Sequence, residues 1–422
     1  MLNLTYEYRI YPSEAQARLM VEWLETCRKV YNYALAERRD WIKSRKCDIN
    51  ACSLRSEYIV PVDAPKPSYY QQKRNLTAAR KDLPTLQSVH SQVLQDVMGR
   101  LEKAFNALWN SGHGFPRFQK RFRSFTFPQL GKNPISSSEV KLPSIGRVKA
   151  VLHRPIPDGF EAKQARVVHR ASGWYVQLVL QAEVDVPEVQ PNGHAVGIDV
   201  GLNSFVATSD GELIDRPRFF VEAQRRLKVL NRAVSRKQKG SKNQQKARQK
   251  VARFYERITN RRRDFHRKTA HHLCDQAGMI FAEELNLKGL AKGMLGKHCL
   301  DAAWGEFLSI LAWVSWNRGV YFAKVPASGT SQECPVCGVA VKKDLSTRVH
   351  HCLECEYQAD RDVASGQVIR NRGLAAVGHI VEACRGERVA VPMKQELSSA
   401  ILGSSRALPS NARRENVTRR DR

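Results

Sequence analysis

Four cysteines in two CxxC pairs constrain the fold of this chain more than any other feature. Cys334 and Cys337 form the first pair, and Cys352 and Cys355 form the second, in the pattern C-x2-C-x14-C-x2-C. Tetrahedral Zn²⁺ takes four thiolate ligands, and two facing turns of this spacing supply them. Four thiolates leave no open position for a substrate, so the quartet predicts a structural zinc. His350 and His351 compete for one ligand position, but Cys352 has the better spacing.

The charge of the chain indicates a polyanionic partner. Its 422 residues carry a formal net charge of +28, and the pI is about 9.9. A charge of this size is typical of proteins that bind nucleic acid. No apolar run reaches the roughly 18 residues of a membrane span, and the remaining six cysteines lack a disulfide framework. We therefore expect no membrane partner, and we expect a protein of the prokaryotic cytoplasm, associated with the nucleoid.

Three acidic residues stand in positions where a charge is expensive to bury. Asp199 follows the apolar residues of AVGID, Glu283 follows MIFA, and Asp362 opens a helix directly after the second cysteine pair. A buried carboxylate needs a partner, and a metal ion is one such partner. Glu284 and Asp360 are neighbours that could be confused with these candidates. In a strand Glu284 faces away from Glu283, so only one of that pair can point into a site.

Dispersed carboxylates on a basic chain suggest metal-dependent hydrolysis of a phosphodiester. Mg²⁺ prefers oxygen ligands and is held by one or two carboxylates together with substrate phosphate. Two such ions can activate water and stabilise the leaving oxygen. We predict that Asp199 is shared between two Mg²⁺ ions and that Glu283 and Asp362 each complete one site.

The periodicity of the chain predicts several domains. Residues 2–10 alternate as a strand, Ser13 and Gln16 form a helix-capping box, and helical stripes follow, the second over about 84–110. Short alternating runs then predict an antiparallel β-unit, into which the helical block is inserted. A β-hairpin is predicted around Asp199, a strand at 279–283, a helix at about 302–318 and a strand at 319–325.

The segment 221–268 is predicted to form basic helices that Gly240-Ser241 interrupts. Its cations lie on several helical faces, which favours contact with a nucleic-acid backbone. The residues predicted to contact nucleic acid here are Arg225, Arg226, Arg232, Arg236, Lys237, Arg253, Arg257 and Arg261.

These motifs, in this order, resemble the TnpB family of RuvC-like nucleases encoded by insertion sequences, which are relatives of compact type V CRISPR effectors. The resemblance rests on GIDVGL, on AEELNLKG and on the cysteine quartet that leads to Asp362. It extends to LTYEYRIYPSEAQ, SQVLQDVMGRLEKAF, GFPRFQKR, LPSIGRVK, AAWGEF and TSQECPVCG. Many members follow the third acid with x-Asn-Ala-Ala, whereas this chain has Val363-Ala364-Ser365-Gly366.

The resemblance implies a multidomain α/β protein with a wedge β-barrel that a helical recognition domain interrupts, and an RNase H-like nuclease domain with a zinc-ribbon insertion. The implied domains are a wedge-like β-domain (1–10 and 113–190), a recognition domain (11–112), the RuvC-like domain (194–325 and 358–384), the zinc ribbon (326–357) and a disordered tail (385–422).

The implied activity is RNA-guided cleavage of double-stranded DNA beside a short adjacent motif, with a guide RNA derived from the transposon end. By motif position, Asp199, Glu283 and Asp362 are the catalytic acids. Gln92 and Gln95 fall where the recognition domain of the family meets the motif DNA. A compact CRISPR-associated effector, a guided repressor that does not cut, and a transposase that joins strands without a guide are the alternatives.

Overall fold

A computed structural model describes residues 1–46, 60–61, 63–131, 134–136, 138–186, 188–344 and 347–383, apart from the side chains of 288 and 379–383. The chain divides into two compact units, with the boundary between residues 186 and 187. The tail predicted to be disordered, 385–422, lies outside the described residues.

The first unit is built on one seven-stranded antiparallel sheet. Its order is β2-β6-β7-β1-β5-β4-β3, so the first strand of the chain is paired on both sides. The strands are β1 (Leu2–Tyr11), β2 (Ser124–Phe127), β3 (Ile135–Ser136), β4 (Glu139–Leu142), β5 (Gly146–Val151), β6 (Glu161–Arg170) and β7 (Gly173–Ala182).

Four described helices lie between β1 and β2 in the sequence: α1 (Glu14–Ser44), α2 (Tyr69–Asp82), α3 (Pro84–Gln87) and α4 (Ser91–Ser111). The capping box opens α1 as predicted, since Ser13 and Gln16 exchange side chain–backbone hydrogen bonds. Helix α2 was not expected from the sequence, because its apolar stripe is weak and only Gln72 and Leu76 are buried. The predicted second helical region is two helices, because Ser88, Val89 and His90 separate α3 from α4.

An aromatic core holds the helices of the first unit against its sheet. Trp23 of α1 lies with its ring centroid 5.5 Å from Phe125 and 6.0 Å from Phe127, both on β2. All three side chains are fully buried. The interrupting helices therefore share one core with the sheet, which explains how the β-unit tolerates a long insertion.

The second unit contains a five-stranded mixed sheet of order β10-β9-β8-β11-β12. Strand β9 is antiparallel to its two neighbours, whereas β8, β11 and β12 are parallel. Counted from β8, the order is 3-2-1-4-5 with the second strand reversed. The strands are β8 (Ala195–Asp199), β9 (Ser204–Thr208), β10 (Leu213–Asp215), β11 (Met279–Glu284) and β12 (Tyr321–Pro326).

The helices of the second unit cover both faces of this sheet. They are α5 (Phe219–Ser235), α6 (Lys242–Gln276), α7 (Leu287–Leu290), α8 (Gly296–Ala302), α9 (Trp304–Asn317) and α10 (Arg361–Ala383). On one face, Val196, Ile198 and Ile280 pack in a core with residues of α6 and α9. On the other face, Ala195, Met279 and Phe281 pack with Ile369 and Val377 of α10.

A small module separates β12 from α10 and contains the cysteine quartet. Two short antiparallel strands, β13 (Val349–His351) and β14 (Gln358–Asp360), form its ladder. Helix α10 begins at the residue after β14, as the sequence predicts for a helix near Asp362. No helix within the described ranges is long and apolar enough to cross a membrane.

Candidate metal centres

Asp199 ends strand β8 on the face that α10 covers. Side chains alternate along a strand, so Ala195, Gly197 and Asp199 face one side, and Val196 and Ile198 face the other. The structure has this arrangement, since Val196 and Ile198 belong to the core with α6 and α9, whereas Ala195 packs with α10. The hydrophobic pattern of β8 therefore fixes the side of the sheet on which the carboxylate lies.

Glu283 occupies the matching position on the neighbouring parallel strand. The register pairs Ala282 of β11 with Ile198 of β8, so Glu283 and Asp199 are the next residue on each strand. Glu283 is buried, with 8% of its surface exposed, and Glu284 is exposed. The strand register thus distinguishes the two glutamates as predicted.

Asp362 reaches the same site from the first turn of α10. Asp360, the competing candidate, caps this helix instead, because its Oδ1 accepts hydrogen bonds from the backbone N–H of Asp362 (2.8 Å) and Val363 (3.3 Å). A Cβ atom added at Gly201, two residues after Asp199, would lie 3.9 Å from Asp362 Oδ2. Asp362 therefore lies beside the turn that follows β8.

Glycines allow α10 to approach the sheet closely enough for this meeting. A Cβ atom at Gly197 would lie 2.0 Å from the carbonyl oxygen of Gly366, and one at Gly373 would lie 2.2 Å from the ring of Phe281. Neither contact is sterically possible, so both positions require glycine. Gly366 stands in the segment that departs from the family pattern, and there it makes the helix–strand contact.

Burial raises the proton affinity of all three carboxylates, and the other two acids raise that of Asp199 further. Burial, and then the charges of Glu283 and Asp362, raises the pKa of Asp199 to about 8. Burial also raises the pKa of Glu283, which Thr330 and Arg372 partly oppose. Burial and the charge of Asp360 raise the pKa of Asp362, against the lowering effect of Arg348 and Arg361. A crowded acidic site of this kind gains stability from a bound cation.

Two further polar residues complete the surroundings of the acids, and neither was predicted from the sequence. The Ser365 hydroxyl lies close enough to Asp199 to lower its pKa, although it makes no hydrogen bond of normal geometry. Arg348, in the cysteine module, lowers the pKa of Asp362. The side-chain amide of Asn203, in the turn after β8, faces Arg348, and with its oxygen turned toward the guanidinium it accepts a hydrogen bond from Nη2 at 2.7 Å. Arginine spacing carries no motif signal, which is why sequence reasoning missed Arg348.

The cysteine quartet is the more compact of the two centres. The Sγ atoms of Cys334 and Cys355 are 3.6 Å apart, and those of Cys337 and Cys352 are 3.5 Å apart. Tetrahedral bonds of about 2.3 Å require sulfur–sulfur separations of about 3.8 Å, so the thiols fit Zn²⁺.

Among the described residues, the quartet is the one group of three or more Cys, His, Asp or Glu whose ligand atoms all lie within 4.8 Å. His350 is not part of it, since its Nδ1 accepts a hydrogen bond from Lys343. The three carboxylates are neighbours that form a more open group.

The predicted basic helices form a hairpin with an exposed cationic surface. The break lies where the sequence predicts it, because Gly240 has a φ of +86° and Ser241 caps α6. The eight arginine and lysine side chains predicted to contact nucleic acid are all exposed. By contrast, Arg262 and Arg263 bind Glu306 of α9 and fasten α6 to the core.

The two glutamines predicted to read motif DNA lie on α4 in the first unit. Gln95 is exposed, whereas Gln92 is partly buried and donates to Gln129 Oε1 at 3.1 Å. Their role stays a prediction.

Three family models match the chain. One described as "Probable transposase" matches residues 177–294, "Cas12f1-like, TNB domain" matches 304–369, and "Helix-turn-helix domain" matches 1–47. A protein of Escherichia coli strain K12 with the provisional name RNA-guided DNA endonuclease InsQ is 30% identical over 94% of this chain and 98% of its own length. This chain belongs to the TnpB family.

Other TnpB-related proteins extend the likeness. A Streptomyces pristinaespiralis protein, provisionally named an RNA-guided DNA endonuclease, is 32% identical over 88% of this chain and 89% of its own. A solved Cas12f1–sgRNA–target DNA complex shares the fold, with a TM-score of 0.50, 13% identity and coverage of 84% and 83% of the two chains. The family model described as a helix-turn-helix domain matches residues 1–47. In this structure the described part of that segment is strand β1 followed by one long helix, α1.

Proposed function

We propose that this TnpB protein is an RNA-guided DNA endonuclease of an insertion element, which cuts target DNA by Mg²⁺-dependent phosphodiester hydrolysis. The observation that carries the proposal is the meeting of Asp199, Glu283 and Asp362 from three separate elements. Full-length relatives bear the name of this activity. Three carboxylates that converge from β8, β11 and α10 concentrate negative charge in a partly buried place, which favours a bound cation.

The donor set suits Mg²⁺. The charges of both other acids act on Asp199, which would be shared by two ions, with Glu283 and Asp362 each completing one site. Bound there, the ions would activate the attacking water and stabilise the leaving oxygen. Arg348 adds a positive charge beside Asp362. This charge would help to hold the negatively charged phosphate of the substrate. The cysteine quartet would hold a structural Zn²⁺.

The nucleic-acid partners of this proposal are a guide RNA from the transposon end and a double-stranded target. Pairing with the guide reads the target sequence, and the protein reads a short adjacent motif. The exposed cations of α5 and α6 would follow the guide–target backbone, and Gln92 and Gln95 would lie near the motif. The first unit would then comprise the wedge domain, from its sheet, and the recognition domain, from α1–α4.

Copurification tests the proposal directly. The protein is expressed with its flanking DNA, and the RNA that copurifies is sequenced. The complex then receives Mg²⁺ and a plasmid library that carries a matching target beside randomised bases. We expect one defined RNA and cleavage of a subset of the library that shares a motif.

The other outcomes distinguish the alternatives. A defined RNA with binding but no cleavage indicates a guided repressor. An RNA that matches a neighbouring repeat array indicates a CRISPR-associated effector. Strand transfer at the element ends without any RNA indicates a transposase.

A further inference from the structure

Glu283 accepts a hydrogen bond from Thr330, a residue that has no part in the proposed metal coordination. The Thr330 hydroxyl donates to Glu283 Oε1, and both side chains are buried. Thr330 also lies with its Oγ1 3.2 Å from the carbonyl oxygen of Ala327. A hydroxyl has one proton, and the carboxylate is the closer and more negative acceptor. The bond therefore fixes one oxygen of Glu283 and leaves the other for a ligand.

Thr330 lies in a short connection, residues 326–333, which leads from β12 into the cysteine module. Arg372 of α10 anchors this connection by donating to the carbonyl oxygens of Pro326 (2.9 Å) and Ser328 (2.7 Å). Its guanidinium also pairs with Glu333, the residue before Cys334. Gly329, with a φ of +78°, makes the turn between these contacts.

The same helix holds the first cysteine turn. Asn371 Nδ2 donates to the carbonyl oxygen of Pro335, between Cys334 and Cys337, at 2.8 Å. Two consecutive residues of α10, Asn371 and Arg372, therefore hold the connection and the first cysteine turn in place. The connection that carries Thr330 is thus fixed at both ends, by β12 and by the first cysteine turn.

We propose that Thr330 is a positioning residue that orients Glu283 for metal binding, and that the connection 326–333 links this orientation to the folded zinc module. The inference rests on the proposed nuclease function for its consequence in cleavage. Hydrogen-bond partners of metal ligands fix ligand orientation, and losing one typically lowers metal affinity or activity by about 10- to 100-fold. A purely structural threonine would change stability without changing metal affinity.

Substitutions that separate the hydroxyl from the methyl group test the inference. Thr330→Val removes the donor and keeps the shape, whereas Thr330→Ser keeps the donor. Thr269→Val, on buried Thr269 of α6, is a matched control for the same change elsewhere in this unit. Mn²⁺ binding to the assembled protein–RNA–DNA complex is titrated by electron paramagnetic resonance. Cleavage rate, target binding and Tm are measured beside it.

We expect Thr330→Val to weaken Mn²⁺ binding and slow cleavage by about 10- to 100-fold, with target binding unchanged. Thr330→Ser and Thr269→Val are expected to behave like the wild type. Wild-type Mn²⁺ affinity in Thr330→Val would overturn the inference. If that variant unfolds, the pair Thr330→Ala and Thr330→Ser decides, because the alanine variant lacks the hydroxyl and the same loss of affinity is expected in it alone.

The failure of the two proposals is distinguishable. A wild-type complex that cuts no matched target contradicts the nuclease function, while the Mn²⁺ titration still tests Thr330. A wild-type complex that cuts, with Thr330→Val equally fast and equally tight for Mn²⁺, contradicts only the role of Thr330.

Discussion

The cysteine quartet and the carboxylate trio lie in the same unit and are built in opposite ways. The quartet comes from one segment, Cys334 to Cys355, and its thiols close around a single point. The trio comes from β8, β11 and α10, and its members stay further apart. A closed ligand set suits a structural ion, and an open set suits chemistry on a substrate. The two centres meet at the connection 326–333, where Thr330 reaches Glu283.

Removing one of the three carboxylates is expected to have the largest effect on cleavage, larger than removing a cysteine. Glu283→Gln and Asp199→Ala are each expected to slow cleavage by at least about a thousandfold, because each removes a charged ligand that the substrate cannot replace. Guided target binding should remain, since one ligand contributes little to a long electrostatic footprint. A plasmid-cleavage assay measures the cleavage rate, and a filter-binding assay measures guided target binding.

Glu284→Gln is the matched control for Glu283→Gln, one residue along the same strand and exposed. It should cleave like the wild type. Loss of target binding by orders of magnitude in Asp199→Ala would make that acid structural.

Removing a thiol should have a smaller effect on catalysis and a complete effect on zinc. Cys352→Ser opens the quartet, so we expect loss of bound zinc and a roughly tenfold to hundredfold fall in cleavage through the connection to Glu283. Metal analysis of the purified protein gives the zinc content. Cys299→Ser, outside the quartet, should retain zinc; zinc retained in Cys352→Ser would refute the predicted ligand set.

The open acidic site should cost stability, in contrast to the closed thiol site. Asp199 has a folded pKa of about 8, and an unfolded aspartate has one of about 3.9. Between these values the unfolded state releases a proton that the folded state keeps, so stability falls as pH rises through this window.

Asp199→Asn should therefore raise the free energy of unfolding in Mg²⁺-free buffer by several kcal/mol at pH 8, with an upper bound of about 5 kcal/mol from the difference between the two pKa values, and leave it nearly unchanged at pH 4. Denaturant unfolding at both pH values measures this. A gain that is equal at pH 4 and pH 8 would mean that ionisation of the buried Asp199 carboxyl is not its cause.

The smallest effect is expected from single cations of the basic hairpin. Arg225→Gln or Arg232→Gln should each reduce the slope of log affinity against log salt by roughly 0.9, with little change in cleavage of bound target. Lys268→Gln, on a lysine that pairs with Asp264 at 2.8 Å, is the control. If Arg225→Gln and Arg232→Gln both keep the salt slope of the wild type, this hairpin does not contact the nucleic-acid backbone.

Local patterns in the sequence predicted the parts of the fold that depend on neighbours in the chain. The capping box at Ser13, the break at Gly240, the hairpin after Asp199 and the cysteine quartet are all local, and all appear as expected. Helix α2 was missed because its polar surface hides the 3.6-residue period. The interruption at residues 88–90 was missed because the apolar spacing continues across it.

The sequence by itself determined which residues carry charge, which thiols can share a zinc and which family the motifs resemble. The tertiary structure alone decided that Asp360 is a cap, that Gly197 and Gly366 let α10 reach the sheet, and that Arg348 and Thr330 stand beside the acids. These outcomes depend on strand register and helix packing between segments far apart in the chain. Such contacts leave no spacing in the sequence, because their energy comes from surfaces that meet only after folding.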